Sequence, residues 1–287
     1  LLLLEETGYF NASLYTPYGI KGIETLGSEI IEDCLQITGK EPDMVVVTNA
    51  GGGNLTGTAR GIKQVTSKPI TLVGASVNLY GLHMASDTDF NKKSFTTGHT
   101  GFGIPFIMNP DRSDVPRSAA RALRYIDRYV TMNQGEVFFI TEALAALEGI
   151  ERGPAGNTSL AAAFSLAQEL TEDKIIVVQE TEYTSAGKHH QAQLAFAREN
   201  GICIYFGNPE DEIAGRSIVL PKDISLIKAK DLDLEDIKRK YLINHLKGLS
   251  KITNKDFDYL VAETNTSNTF VNEILKNQKI EVEALNE

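Results

Sequence analysis

The run Val45-Val46-Val47-Thr48-Asn49-Ala50-Gly51-Gly52-Gly53-Asn54-Leu55-Thr56-Gly57 joins a β-branched apolar stretch to three glycines and then to small residues suited to a helix start. Glycine lets the backbone turn sharply and lets an anion approach it closely. The first N–H groups of a following helix point at such an anion, and the helix dipole favours its charge. The chemistry this pattern implies is phosphate binding. A mononucleotide P-loop requires GxxxxGK[ST]; Gly52 and Gly57 have that spacing, but Thr58 stands where the lysine belongs. A dinucleotide fingerprint requires GxGxxG and an acidic residue about 20 positions on. Gly51 and Gly53 fit it, yet Thr56 takes the third glycine position and the strand at 70–75 ends at Ser76.

A cofactor with a single phosphate, held by backbone N–H groups and small polar side chains, remains, and pyridoxal phosphate (PLP) fits best. The plain alternative is a glycine-rich turn that holds nothing. Longer motifs extend the reading. Gly8-Tyr9-Phe10-Asn11-Ala12-Ser13, Thr16-Pro17-Tyr18-Gly19-Ile20-Lys21-Gly22 and the GGGN loop resemble the fold type II PLP enzymes, the superfamily of threonine synthase and the tryptophan synthase β subunit. TPYGIKGIETLGSEI, TNAGGGNLTGTARG, GLHMASDTDFNKKSFTTGHTGFG, DRSDVPRSAARALRYIDRYVT and IIVVQETEYTSAGKHHQAQLAFARENGI are similar to the β subunits of 2-amino-4-oxopentanoate thiolase.

The resemblance implies an α/β fold of the tryptophan synthase β type with a mostly parallel sheet. It implies thiolysis of 2-amino-4-oxopentanoate by coenzyme A to acetyl-CoA and alanine, in ornithine degradation, with a small α subunit as partner. By the same resemblance Ala50, Gly51, Gly52, Gly53 and Asn54 wrap the PLP phosphate. Thr56 is a weaker candidate. Thr181, with Thr184 in reserve, meets the pyridine nitrogen at the strand end Gln179-Glu180-Thr181-Glu182. The Schiff-base lysine of the family belongs to an N-terminal half and is expected upstream of Leu1, so the chain is expected to be the C-terminal part of the enzyme. Two other readings stay open: another fold type II lyase or synthase, and a non-catalytic chain that keeps the cradle without the lysine.

Further residues carry chemistry less specifically. His99, in the loop Ser94-Phe95-Thr96-Thr97-Gly98-His99-Thr100, is a candidate for a substrate carbonyl or a proton transfer. Lys188 is a poor substitute for the Schiff-base lysine, since exposed lysines are the rule. His189 and His190 have no partner cluster for a metal. Arg112, Arg117, Arg121 and Arg124 could meet coenzyme A phosphates, but pairing with Asp111, Asp114 and Asp127 is favoured.

Composition sets the bounds. The 287 residues suffice for one large core or two smaller ones, and 42% hydrophobic with 23% charged residues is ordinary for a globular protein. A net charge of −10 argues against nucleic-acid binding through a general basic field. Cys34 and Cys203 stand far apart and read as reduced thiols, which with the lack of a signal-peptide pattern points to the cytoplasm. No apolar run approaches the roughly 18 residues of a membrane span. An oligomer is expected.

Strand and helix patterns alternate, as in an α/β domain. Helices are expected at 25–38, 55–65, 142–147, 158–170 and 191–200. Strands are expected at 44–47, 70–77, 136–141, 174–179 and 202–206, with a long irregular stretch at 78–117. Composition changes near residue 208. Residues 1–207 read as the PLP-binding core, and 208–287 as a polar connection with a helical extension. Thr253 or Asn254, and Ser267, are its expected N-caps.

Overall fold

The structure, a computed structural model, describes residues 6–9, 17–49, 51–78, 121–180, 190–199, 201–213 and 216–283. A long helix α1 (Pro17–Thr38) precedes β1 (Met44–Thr48), α2 (Gly53–Val65), β2 (Thr71–Val77) and β3 (Arg128–Met132). Then come α3 (Gln134–Glu148), α4 (Thr158–Ala167), β4 (Ile176–Gln179), α5 (His190–Glu199), β5 (Cys203–Gly207), β6 (Ser217–Pro221) and β7 (Lys230–Asp231). The chain continues with α6 (Leu234–Leu246), β8 (Lys251–Thr253), α7 (Asn254–Thr264), α8 (Asn268–Gln278) and β9 (Glu281–Glu283). The main sheet has the order β4-β1-β2-β3-β7, with β1 to β4 parallel and β7 antiparallel. The α/β class with a mostly parallel sheet is as the sequence implied.

Side-chain alternation along the strands divides the core in two. Val45, Val47, Leu72 and Tyr129 face one layer, where α2 contributes Leu55, Ala59 and Ile62 and the helices α6 to α8 contribute Ile237, Leu242, Leu260, Val271 and Ile274. Val46, Val73, Ala75, Val77, Val130 and Met132 face the other, under α3 (Val137, Phe138) and α4 (Ala161, Ala162, Leu166). Both faces are covered, which is why the central strands read as continuous apolar runs. The helices after residue 230 share one apolar layer with β1 and α2, and β7 joins the main sheet beside β3.

One expectation fails outright. Residues 136–141 are not a strand but the opening of α3, and the strand of that region is β3, eight residues earlier in its start. The Val137-Phe138-Phe139-Ile140 run suits either a buried strand or a buried helix by hydrophobicity alone. Its start decides: the Glu136 carboxylate accepts from the Asn133 N–H at 2.6 Å, half of a capping box. The other elements lie within a few residues of expectation, although α1 begins at Pro17 and α4 ends at Ala167. The pair β5–β6 was half missed, because β6 sits in a segment whose turn residues mask it. Thr253 and Ser267 cap α7 and α8, accepting from the N–H groups of Asp256 and Phe270 at 3.2 Å each.

The helix that follows the glycines is set by its crossing with α1. A Cβ on Gly61 would lie 2.0 Å from the Glu24 carbonyl oxygen, and one on Gly27 2.3 Å from that of Thr58. Backbone therefore packs on backbone. Beside this contact Glu24, 4% exposed, meets Arg60 at 2.7 Å, Gln64 at 2.8 Å and Lys21. Burial would raise its pKa, but these partners together hold it below the usual carboxylate range.

At the far side two buried carboxylates hold the β3–α3 turn, Glu212 to β6 and Glu136 to Lys228. Glu212 accepts from the N–H groups of Gln134 (2.8 Å), Gly135 (2.9 Å) and Val219 (3.1 Å), while Glu136 also accepts from Lys228 N–H at 2.8 Å. Burial pushes both up to about 7, against the opposing pull of these donors.

Two predictions follow from these contacts. Gly61→Val should lower stability by about 2 kcal/mol or more, since the obstacle is backbone. Gly22→Ala, on the same α1 in open space, should raise it by about 0.5 kcal/mol; urea melts of both variants check the contrast. For Glu136 and Glu212 the folded pKa exceeds the unfolded value, so the folded state holds the extra protons. Their contribution is then fully present below about 4.5 and is lost as pH rises to about 7. Glu136→Gln should flatten the fall in stability over that window, and identical slopes in the two proteins would refute the assignment.

Candidate active site

Topology places the site. From β1 the chain leaves through α2 on one face, whereas β4 is reached through α4 on the other. Neighbouring parallel strands whose connections diverge leave a crevice at their carboxyl ends, the usual ligand position in open α/β sheets. The N-terminal ends of α2 and α4 both lie at that edge.

On the α2 side, β1 runs into Asn49, which is fully buried and donates its N–H to the Ala75 carbonyl at 2.8 Å. Asn49 Nδ2 donates to the Tyr129 hydroxyl at 3.0 Å. Burial raises the Tyr129 pKa well above its usual value, so the phenol stays neutral. Gly52 then takes φ +81°, a left-handed turn that favours glycine, and serves as the N-cap of α2. A glycine cap offers no side-chain acceptor to the first-turn N–H groups.

On the α4 side, the Thr48 hydroxyl donates to the Gly156 carbonyl and accepts from Ser159 N–H, both at 3.0 Å. The Ser159 hydroxyl lies 2.9 Å from both the Gly156 and Gln179 carbonyls. Thr58 in α2 donates to Gln179 Oε1 at 2.9 Å. These bonds lock the ends of β1 and β4 to both helices. Beyond Gln179, the Asn157 amide lies against both oxygens of Glu180, at 2.9 and 3.0 Å, and against the Thr141 hydroxyl at 3.1 Å; facing a carboxylate, it is assigned with Nδ2 donating to Glu180 and Oδ1 toward Thr141. The reverse orientation would set the amide oxygen against the carboxylate.

The residues present fit a phosphate. Gly51, Gly52, Gly53 and Asn54 form the turn into α2, whose uncapped N–H groups suit an anion. Asn49 Oδ1 and Thr56 Oγ1 are buried with no hydrogen-bond partner among the described residues, and the Thr56 hydroxyl can donate to such a group. Ala50, His99, Thr181, Thr184, Lys188, His189, Arg112 and Arg117 lie outside the described residues. His190 opens α5, with its ring on Glu142 of α3. Arg124 pairs with Glu263 of α7 rather than with Asp127, whose carboxylate accepts the Leu72 N–H at 2.8 Å. Cys34 is buried and Cys203 exposed, both unbridged. No helix among the described residues is long and apolar enough to cross a membrane.

Sequence reasoning missed Asn157, Glu180, Thr48 and Ser159 as parts of one wall. The small-residue turn Gly153-Pro154-Ala155-Gly156 marked the start of α4, but nothing local ties it to a strand over 100 residues earlier.

Residues 2–182 match the family described as pyridoxal-phosphate-dependent enzyme. A 2-amino-4-ketopentanoate thiolase beta subunit from Acetoanaerobium sticklandii is 63% identical over 281 residues, which are 97% of this chain and 60% of that protein. A second protein of that description, from an unknown prokaryotic organism, is 58% identical over 96% of this chain and 59% of its own length. The chain thus spans about three-fifths of the length of these relatives. Among solved structures, an O-ureido-L-serine synthase covers 69% of this chain and 55% of its own at 22% identity and a TM-score of 0.47. The chain belongs to the pyridoxal-phosphate-dependent enzyme family.

Proposed function

We propose that this chain forms the phosphate-holding part of a PLP-dependent acyltransferase that cleaves 2-amino-4-oxopentanoate with coenzyme A, giving acetyl-CoA and alanine. The observation that carries the reading is the 63% identity to a thiolase beta subunit over 97% of the chain. A beta subunit implies an α subunit as partner. The Schiff-base lysine is assigned to the part of the relatives' length that this chain does not span.

In this reading Gly51, Gly52 and Gly53 bring backbone N–H groups to the phosphate, and the Asn54 and Thr56 side chains complete the cradle. The start of α2 orients the phosphate through its dipole. PLP supplies an electron sink for breaking the carbon–carbon bond beside the ketone. Asn49 and neutral Tyr129 hold the loop from below, and the Thr48–Ser159 bonds fix the opposite wall. The ring end of the cofactor is assigned to the end of β4, at residues 179–182. Residues 208–287 supply a packing extension.

The complete enzyme should release acetyl-CoA and alanine only when 2-amino-4-oxopentanoate and coenzyme A are both present. Absence of any coenzyme-A-dependent product from the complete enzyme would overturn the thiolase reading in favour of another fold type II lyase or synthase. Gly52→Val should weaken PLP binding at least about tenfold, because a β-branched residue resists positive φ and its Cβ crowds the anion. Fluorescence titration with PLP reads this directly, and unchanged affinity would remove the loop from the site.

A further inference from the structure

We propose that the Glu180 carboxylate, aimed by Asn157, is the group that faces the ring nitrogen of the cofactor and keeps it protonated. The inference rests on the PLP reading of the cradle. It changes which residue does the work at the β4 end: a carboxylate replaces the Thr181 hydroxyl.

Val47 pairs with Gln179, so the next positions, Thr48 and Glu180, are neighbours at the mouth of the crevice. Side chains alternate along a strand. Gln179 points toward α2, where Thr58 binds it, and Glu180 points toward α4, where Asn157 binds it. Thr48 also points toward α4, through its bond to Gly156. The crevice therefore has a cradle for an anion on its α2 side and a fixed carboxylate across from it.

Charge complementarity selects the part of the cofactor that each can meet. A carboxylate does not accept a phosphate, but it does accept a ring N–H. The phosphate and the ring nitrogen of PLP project from different positions of one rigid ring, so a cradle and a carboxylate on opposite sides of a crevice can serve them together. Asn157 is fully buried and donates both bonds to Glu180 from one amide nitrogen. That arrangement gives the carboxylate an amide N–H donor and sets it beside the start of α4. On the neighbouring helices, Glu142 of α3 and His190 of α5 contact each other.

The proton has a defined place. It resides on the ring nitrogen and is shared with Glu180, and no other group is consumed. A protonated ring is a stronger electron sink than the neutral ring that a hydroxyl partner leaves. Asn157 is then a positioning residue, since it acts only through Glu180. A purely structural role for the pair, with Glu180 satisfying the start of α4, is the rival account.

The test is nitrogen NMR of the complete enzyme loaded with PLP labelled with 15N in the ring, with PLP affinity measured alongside. The parent should show a protonated ring nitrogen at neutral pH. Glu180→Gln should retain PLP within about twofold and lower the ring-nitrogen pKa by at least about one unit, a tenfold change in its proton affinity. Asn157→Ala should lower it less, and the double variant no further than Glu180→Gln alone. An unprotonated ring in the parent, or an unchanged resonance in Glu180→Gln, overturns the proposal and leaves the strand end to Thr181. If Glu180→Gln does not fold, the parent decides: a ring nitrogen that keeps its proton to higher pH than in free PLP supports the carboxylate, and one that does not overturns it. Failure of the parent to bind PLP would instead refute the cofactor reading itself.

Discussion

Everything in the crevice depends on β1 and β4 being hydrogen-bonded neighbours whose helices lie on opposite faces of the sheet. The pairing is ordinary, Met44 with Ile176 through Val47 with Gln179. Its consequence is that the chain must part above Thr48 and Gln179, leaving polar backbone at the edge of an otherwise apolar core. Buried N–H and C=O groups need partners. On the α4 side the protein supplies them itself, through the hydroxyls of Thr48 and Ser159. On the α2 side it does not: a glycine caps the helix, and Asn49 Oδ1 and Thr56 Oγ1 have no partner among the described residues. The asymmetry between the two helix starts is what makes the α2 side of this gap the candidate binding site.

Rigidity behind the cradle comes from packing that leaves no room for adjustment. Gly27 and Gly61 let α1 and α2 touch along their backbones, and the Glu24 cluster pins the same crossing electrostatically. An exposed ion pair contributes little, but a carboxylate 4% exposed with three partners resists separation, because losing one partner leaves a buried charge poorly compensated. On the other face, the small side chains Ala161, Ala162 and Ala163 let α4 approach the sheet closely, which brings Gly156 and Ser159 within bonding distance of Thr48. The glycine loop is thus carried by a helix wedged from one side and opposed by a helix lowered from the other.

Much of this was legible because it is local. Thr48-Asn49-Ala50-Gly51-Gly52-Gly53 announces a strand, a tight turn and a helix start within a dozen residues, and the capping residues Thr253 and Ser267 act on N–H groups three positions away. What escaped is what depends on distance or on competition. The Val137-Phe138-Phe139-Ile140 run fits a strand by composition, and only the Glu136 contact with Asn133 tips it to helix. Strand β6 is recognisable once β5 is beside it, and its hold on α3 comes from Glu212, a single acid in a charged turn. Asn157 and Glu180 look unremarkable in sequence, a helix-cap residue and a strand-end acid 23 positions apart. Their pairing exists only because α4 returns over the sheet to deliver β4 beside β1.

The unsatisfied atoms of the cradle also couple cofactor binding to stability. A buried polar group without a partner costs about 1–3 kcal/mol, and Asn49 and Thr56 each carry one. A domain is stable by only about 5–15 kcal/mol in all, so this is a real fraction of the total. The Thr56 hydroxyl can donate to a phosphate oxygen directly. Asn49 Oδ1, an acceptor, cannot, and needs a donor such as an ordered water or a cofactor hydroxyl. A ligand that met Thr56 and the first N–H groups of α2 would bind only the folded state and stabilise it by mass action. The same atoms that weaken the free chain therefore strengthen the loaded one. A serine or aspartate cap in place of Gly52 would meet the positive φ of that turn and would fill the position proposed for the phosphate.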